Sequence, residues 1–181
     1  LRLEKRLSGG VQVLVNYQYS RLMERTTRLN DFDAPELRVS DIDRPHRLVV
    51  SGNYEFPWLK GPQKGAARVA GWFAGGWMVT GIYVAQSGSP LVWGNVLYLG
   101  GDLNVQPRNL SAAFDTTRFN RVPAQQLEYN VRSFPSRFNN HRTDGINNFD
   151  LSVLKNFPIR EKATVQLRLE SFNSLNRVQF G

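Results

Sequence analysis

"LSVLKNFPIREKATVQLRLESFNSLN", residues 151–176, is the stretch on which the fold turns. On both sides of "FPIRE", apolar and polar residues alternate with period two, the mark of strands with two unlike faces. Val165, Leu167 and Leu169 oppose Gln166, Arg168 and Glu170, and just upstream Phe149, Leu151 and Val153 oppose Asp150, Ser152 and Leu154. In a soluble sandwich the apolar row is the core and the polar row is the wet outside. In a sheet closed around a wet interior the apolar row is the outside, and arginine and glutamate point inward without dry burial.

Composition narrows the field. The chain has 181 residues, 41% of them hydrophobic, and a mean hydropathy of −0.40. It contains no apolar run near the ~20 residues that a spanning helix requires. Aromatics make up 12%, with abundant Gly, Asn, Ser and Thr, which favours an all-β class. Cysteine is absent, which removes disulfides and thiolate metal sites. A net charge of +8 permits an anionic partner without requiring one. The chain opens on "LRLEKRLSGG" without an initiator Met or a signal peptide, and the expectation is an internal piece of a longer protein.

Alternation marks about six long strands. The first begins at Leu1 and turns at "LSGG". The second places Val11, Val13, Val15, Tyr17 and Tyr19 opposite Gln12, Leu14, Asn16 and Gln18. In the third, Leu48, Val50, Tyr54 and Phe56 oppose Val49, Ser51, Asn53 and Glu55, and "PWLKGPQKGAAR" is expected as the turn that follows. The fourth, "GGWMVTGIYVAQSG", is apolar on both faces and has no preferred orientation. The two strands of the opening stretch, joined by "PIRE", complete the set.

The connections alternate between short and long, the long ones covering about 24–43 and 87–145. Strands of roughly 10 to 14 residues with short turns at one end and long loops at the other describe a transmembrane β-barrel wall. The expected architecture is therefore an antiparallel meander, open in this chain, over residues 1–181. Val11, Val13, Val15, Leu48, Val50, Val165, Leu167 and Leu169 are expected to face lipid, and Gln12, Asn16, Asn53, Glu55, Asp150, Arg168 and Glu170 the lumen. Tyr17, Tyr19, Tyr54, Phe56, Trp58, Trp72 and Phe157 fit interfacial aromatic girdles. With its apolar face out of lipid and its edges open, the piece alone is expected to aggregate in water.

"DRPHRLVVSGNYEFP" (residues 43–57), "GGWMVTGIYVAQSGSPL" (75–91) and "RTDGINNFDLSVLKNFPIREKATVQLRLESFNSLNRVQFG" (142–181) resemble the C-terminal barrel segments of TonB-dependent outer-membrane receptors, particularly the Oar-like branch. "LEKRLSGGVQVLVNYQYSRLM" is similar to that family's preceding hairpin. The resemblance implies a barrel of about 22 strands around an N-terminal plug. It also implies residence in the bacterial outer membrane, and active transport driven by a TonB-type complex acting on the plug. The chain shows no plug, TonB box, carboxypeptidase-like domain or closing strand, so transport is expected of a larger whole. Counting back from the missing closing strand puts "LSGG" and "PIRE" in the periplasm and the long loops outside.

Within the longer loop, Trp93, Tyr98, Arg132, Arg137 and Arg142 are candidate contacts for an unknown small ligand, since aromatics and arginines grip sugar-like or anionic groups. No residue pattern suggests catalysis, and no cofactor is implied. His46 and His141 are too far apart in sequence to suggest a metal pair, and each reads as a surface or girdle residue. Asp43 with Arg44 and Arg47, and Asp144 with Asn147, Asn148 and Asp150, read as hydrogen-bonded strand starts rather than calcium ligands. "NLS" at Asn109 matches a glycosylation sequon only by letters. Three functions stay open: a transporter segment, a soluble basic β-sandwich binding an anionic partner, and a structural or adhesive surface barrel. The basic residues are scattered rather than gathered on one face, which disfavours nucleic acid.

Overall fold

The computed structural model describes residues 1–57, 65–106, 112–126, 130–160 and 163–179. In chain order its elements are β1 (Arg2–Ser8), β2 (Val11–Tyr19), β3 (Met23–Glu24), β4 (Arg38–Val39), β5 (His46–Glu55), α1 (Ala66–Ala74), β6 (Trp77–Gln86), β7 (Pro90–Val92), β8 (Arg137–Arg142), β9 (Ile146–Arg160) and β10 (Ala163–Ser171), with two single 3-10 turns between β7 and β8. They form two compact units. The first comprises Leu1–Tyr19, Pro45–Ser87 and Gly145–Gly181, and the second Ser20–Arg44 and Gly88–Asp144.

The first unit is one antiparallel sheet of six strands in the order β1-β2-β5-β6-β9-β10. β2, β5, β6 and β9 have 9, 10, 10 and 15 residues, at or above the ~9–11 that a tilted membrane strand needs. Its long connections leave from the end that carries Tyr19, His46, Gln86 and Ile146, and the shorter ones from the opposite end. At β1–β2 the chain reverses on Gly9 and Gly10, both at positive φ (61° and 81°), the demand of a tight hairpin. A Cβ on Gly10 would meet the Glu55 carbonyl oxygen at 2.5 Å, so glycine is needed there for space as well.

Register fixes the faces, because residues directly opposite in a ladder share one. Val11, Val13 and Val15 stand opposite Tyr54, Gly52 and Val50, and Tyr17 opposite Leu48. Val50 continues to Tyr83, Tyr83 to Phe149, and Val153 to Leu169. Val165, Leu167 and Leu169 therefore share a face with Val11, Val13, Val15, Leu48 and Val50. The opposite face carries Gln12, Asn16, Asn53, Glu55, Asp150, Arg168 and Glu170. The same ladders orient β6, whose sequence is ambiguous: Trp77, Val79 and Tyr83 join the apolar face, and Met78, Ile82 and Val84 the polar one.

Three expected turns differ in the structure. β1 continues to Ser8, so the "LSGG" reversal is confined to its two glycines. β9 runs through Pro158 and Ile159 to Arg160 instead of turning at "PIRE"; its ladder to β6 ends at Lys155, so a proline beyond it removes no bond on that side. Glu161 lies outside the described residues. In "PWLKGPQKGAAR", Trp58 to Lys64 also lie outside them, but from Ala66 the chain forms helix α1, "AARVAGWFA", whose alanines favour it. Trp72 is thus a helix residue and not a strand-end one.

The buried hydrophobic residues Val39, Leu103, Phe119 and Phe134 all belong to the second unit, and among the described residues the six-stranded sheet contributes only Leu154. A soluble sandwich buries one face of each sheet against a second large sheet. The other sheets among the described residues are the two-stranded ribbons β3-β4 and β7-β8. The sandwich alternative is not what these residues build.

Candidate functional site

The second unit contains the five residues whose types suggested ligand contact. Its centre is an aromatic cluster in which Leu103, Phe119 and Phe134 are buried and Trp93, Val96, Tyr98, Phe114 and Phe138 pack around them. Trp93 stacks on Phe119 at 5.2 Å between ring centroids, and Tyr98 lies 5.4 Å from Phe119 and 5.3 Å from Phe134. Arg132 lies over the Phe134 ring at 4.8 Å and donates to the Trp93 carbonyl at 2.7 Å. Arg137 donates to Glu24 at 2.8 Å and to the Val39 carbonyl at 3.0 Å. Arg142 donates to Asp43 at 2.6 Å and also to the Gly88 carbonyl at 3.2 Å. All five are engaged by the unit's own fold.

His141 departs from its expected surface position. It is buried among the rings of Trp93, Phe114 and Phe138, and its Nδ1 has no hydrogen-bond partner. His46 stays exposed at the start of β5, sharing a 2.8 Å hydrogen bond with the Tyr17 hydroxyl, with the Tyr19 ring 5.2 Å away. Asp43 is buried and paired with Arg142, while Arg44 donates to the Asp41 and Asp43 carbonyls. Asp150 accepts from Asn148 and from the Asn173 backbone, both at 2.9 Å. No group of metal-ligating residues is found among the described residues. Asn109 and Trp58 lie outside them.

An open groove of about 330 Å³ is lined by Tyr98, Asp102, Asn104, Asn139, Asn140 and His141. Oδ1 of Asp102 accepts from the amide and backbone nitrogens of Asn104 at 2.7 and 3.0 Å. The groove thus sets Asn139, Asn140 and the Asp102 carboxylate beside the Tyr98 ring, polar groups that suit a hydroxyl- or amide-bearing ligand.

The charged part of the unit centres on Glu24, which accepts from Arg38 at 2.9 Å and from Arg137 at 2.8 Å. Hydrogen bonds from Arg137, then from Ser40 and Arg38, hold its carboxyl below the ordinary glutamate value of 4.5, against the opposing effect of burial. A depressed folded-state pKa contributes stability that is complete above 4.5 and is lost as pH falls through the depressed value. Protease resistance of the second unit in the full-length protein is expected to weaken over that acid range. Glu24→Gln, which cannot titrate, should flatten that part of the profile. An unchanged acid profile in the variant would show that Glu24 does not contribute to it.

One residue of the sheet escaped the sequence reading. Lys155 lies on the apolar face between Val153 and Phe157, opposite Trp77 and Leu167, and is 2% exposed. Its ammonium donates to the Gly75 carbonyl and lies 5.5 Å from the Trp77 ring and 5.0 Å from that of Phe157. Counting by twos from Val153 would have found it.

A wide sheet with two unlike faces, whose one buried hydrophobic among the described residues is Leu154, fits a wall set between lipid and water. The family model for the outer membrane beta barrel domain matches residues 1–181. The chain belongs to that family. Among curated proteins and solved structures, nothing matches it. The barrel domain resides in the bacterial outer membrane, and the six strands form an open stretch of antiparallel sheet.

Proposed function

We propose that this barrel segment belongs to a TonB-dependent receptor of the Oar-like branch, which takes up a nutrient too scarce or too large for diffusion. The observation that carries the reading is the polar sheet face, which carries Arg47, Glu55, Asp150, Arg168 and Glu170, none of them buried. An eight-stranded barrel fills its interior with side chains, so so many charges favour a wide barrel whose lumen holds water or a plug. The quoted resemblance to receptor barrels adds the plug and its TonB-type energising partner. On this reading the valine and leucine face contacts outer-membrane lipid, the long connections are extracellular, and the protein binds a small ligand, catalyses no reaction and binds no nucleic acid. A structural or adhesive barrel is the second reading, favoured by the internal engagement of Trp93, Tyr98, Arg132, Arg137 and Arg142.

Conductance of the full-length protein in a planar bilayer separates these readings. A plugged receptor should be closed and should open when urea loosens the plug. In cells, uptake of one compound from a panel of siderophores, oligosaccharides, cobalamin and peptides should need the gene and stop with a protonophore. A standing open pore, or the absence of any gene-dependent uptake, would overturn the transporter reading.

A further inference from the structure

Helix α1 presents an apolar stripe, Val69, Trp72 and Phe73, at the i, i+3, i+4 spacing that gathers residues on one side of a helix. These residues are 61%, 44% and 62% exposed. A helix of nine residues is too short to be stable in water on its own, so its stripe needs a partner. The helix is held to one side of the sheet. Trp77 donates from its indole to the Phe73 carbonyl at 2.9 Å, Lys155 donates to the Gly75 carbonyl, and Trp72 rests on Phe157 with ring centroids 5.0 Å apart. Trp77, Lys155 and Phe157 all belong to the apolar face. A lysine at these last carbonyls also suits the negative end of the helix dipole. The stripe therefore continues the apolar face before β6 begins, alongside Lys155 and Phe157 of β9. The stretch from residue 56 to residue 76 contains Lys60, Lys64 and Arg68 and no acidic residue, a charge balance suited to anionic headgroups.

We propose that α1 is a membrane-interface helix. It lies in the headgroup layer of the outer membrane at the short-connection end of the barrel, with Val69, Trp72 and Phe73 dipping into the acyl boundary. Its anchors on the sheet are Lys155 and Trp77. The tryptophan suits that depth, since its ring is apolar and its N–H is polar. The proposal rests on the lipid-facing assignment of the apolar sheet face.

The test is site-directed spin labelling of the full-length protein in phosphatidylethanolamine–phosphatidylglycerol vesicles. The segment has no cysteine of its own, and single cysteines enter as Val69→Cys, Phe73→Cys, Leu167→Cys and Gln166→Cys. Labels at 69 and 73 should collide more with oxygen than with a water-soluble nickel complex and report a depth near the headgroups. The label at 167 should lie deeper, and that at 166 should report water. If the labels at 69 and 73 report water while that at 167 reports lipid, the interfacial helix is overturned and the lipid-facing assignment survives. If the label at 167 reports water, both are overturned. A Lys155→Met variant should shift the label at 73 to a different depth, because one of the two side-chain anchors of the helix end is lost.

Discussion

Asp43→Ala is expected to destabilise the second unit by about 3–5 kcal/mol, the cost of breaking a buried pair by removing one partner. Asp43 is 1% exposed and accepts from Arg142 at 2.6 Å and from the Leu22 backbone at 2.7 Å. The Arg142 side chain is 18% exposed, so its charge would be left with carbonyls alone, those of Asp43 and Gly88. At about 1.4 kcal/mol per factor of ten, the opened population should rise more than a hundredfold. Limited trypsin digestion of the full-length protein reads this directly, because cleavage tracks that population when opening is fast. The double variant Asp43→Leu with Arg142→Met removes both charges at once and should recover much of the resistance. Equal resistance of parent and Asp43→Ala would show that the pair does not hold the two long connections together.

Why the pair escaped the sequence reading is a matter of separation along the chain. Asp43 and Arg142 are 99 residues apart, and Glu24 and Arg137 are 113 apart, so no local pattern joins them. Arg137, Arg142, Trp93 and Tyr98 were candidate ligand contacts because their types suit ligands; composition does not say whether a guanidinium or ring is already occupied. The two faces of β2, β5 and β10 were legible because a period of two survives any tertiary context that keeps the strand. β6 was illegible because both rows are apolar, and only its ladders to β5 and β9 orient it. Helix α1 was hidden for a different reason: nine residues give barely two turns of the 3.6 period, and they adjoin "GGWMVTG", whose strand signal is stronger.

Val50→Arg should cost about 2–4 kcal/mol in the full-length protein, the range for a cation on the lipid side near the bilayer midplane, while Asn53→Arg should cost within about 0.5 kcal/mol. Val50 sits near the middle of β5, opposite Val15 on one side and Tyr83 on the other, so a charge there has no charged partner in either ladder. Asn53 lies between Gln12 and Thr80 on the other face, where an added guanidinium finds polar groups. The two positions share one strand, and both have ladder partners on each side, so strand pairing itself does not separate them. Equilibrium unfolding in urea with the protein reinserting into phosphatidylcholine vesicles measures both costs against one reference. Comparable costs would show that neither face is in lipid as assigned, and a reversed order would turn the sheet over, placing the charged row of Arg168 and Glu170 against the acyl chains. That second result is physically expensive, since Asp150, Arg168 and Glu170 would each need desolvation. The expected order is therefore the one that leaves the fewest charges out of water, and it follows from the same alternation that begins at Leu151.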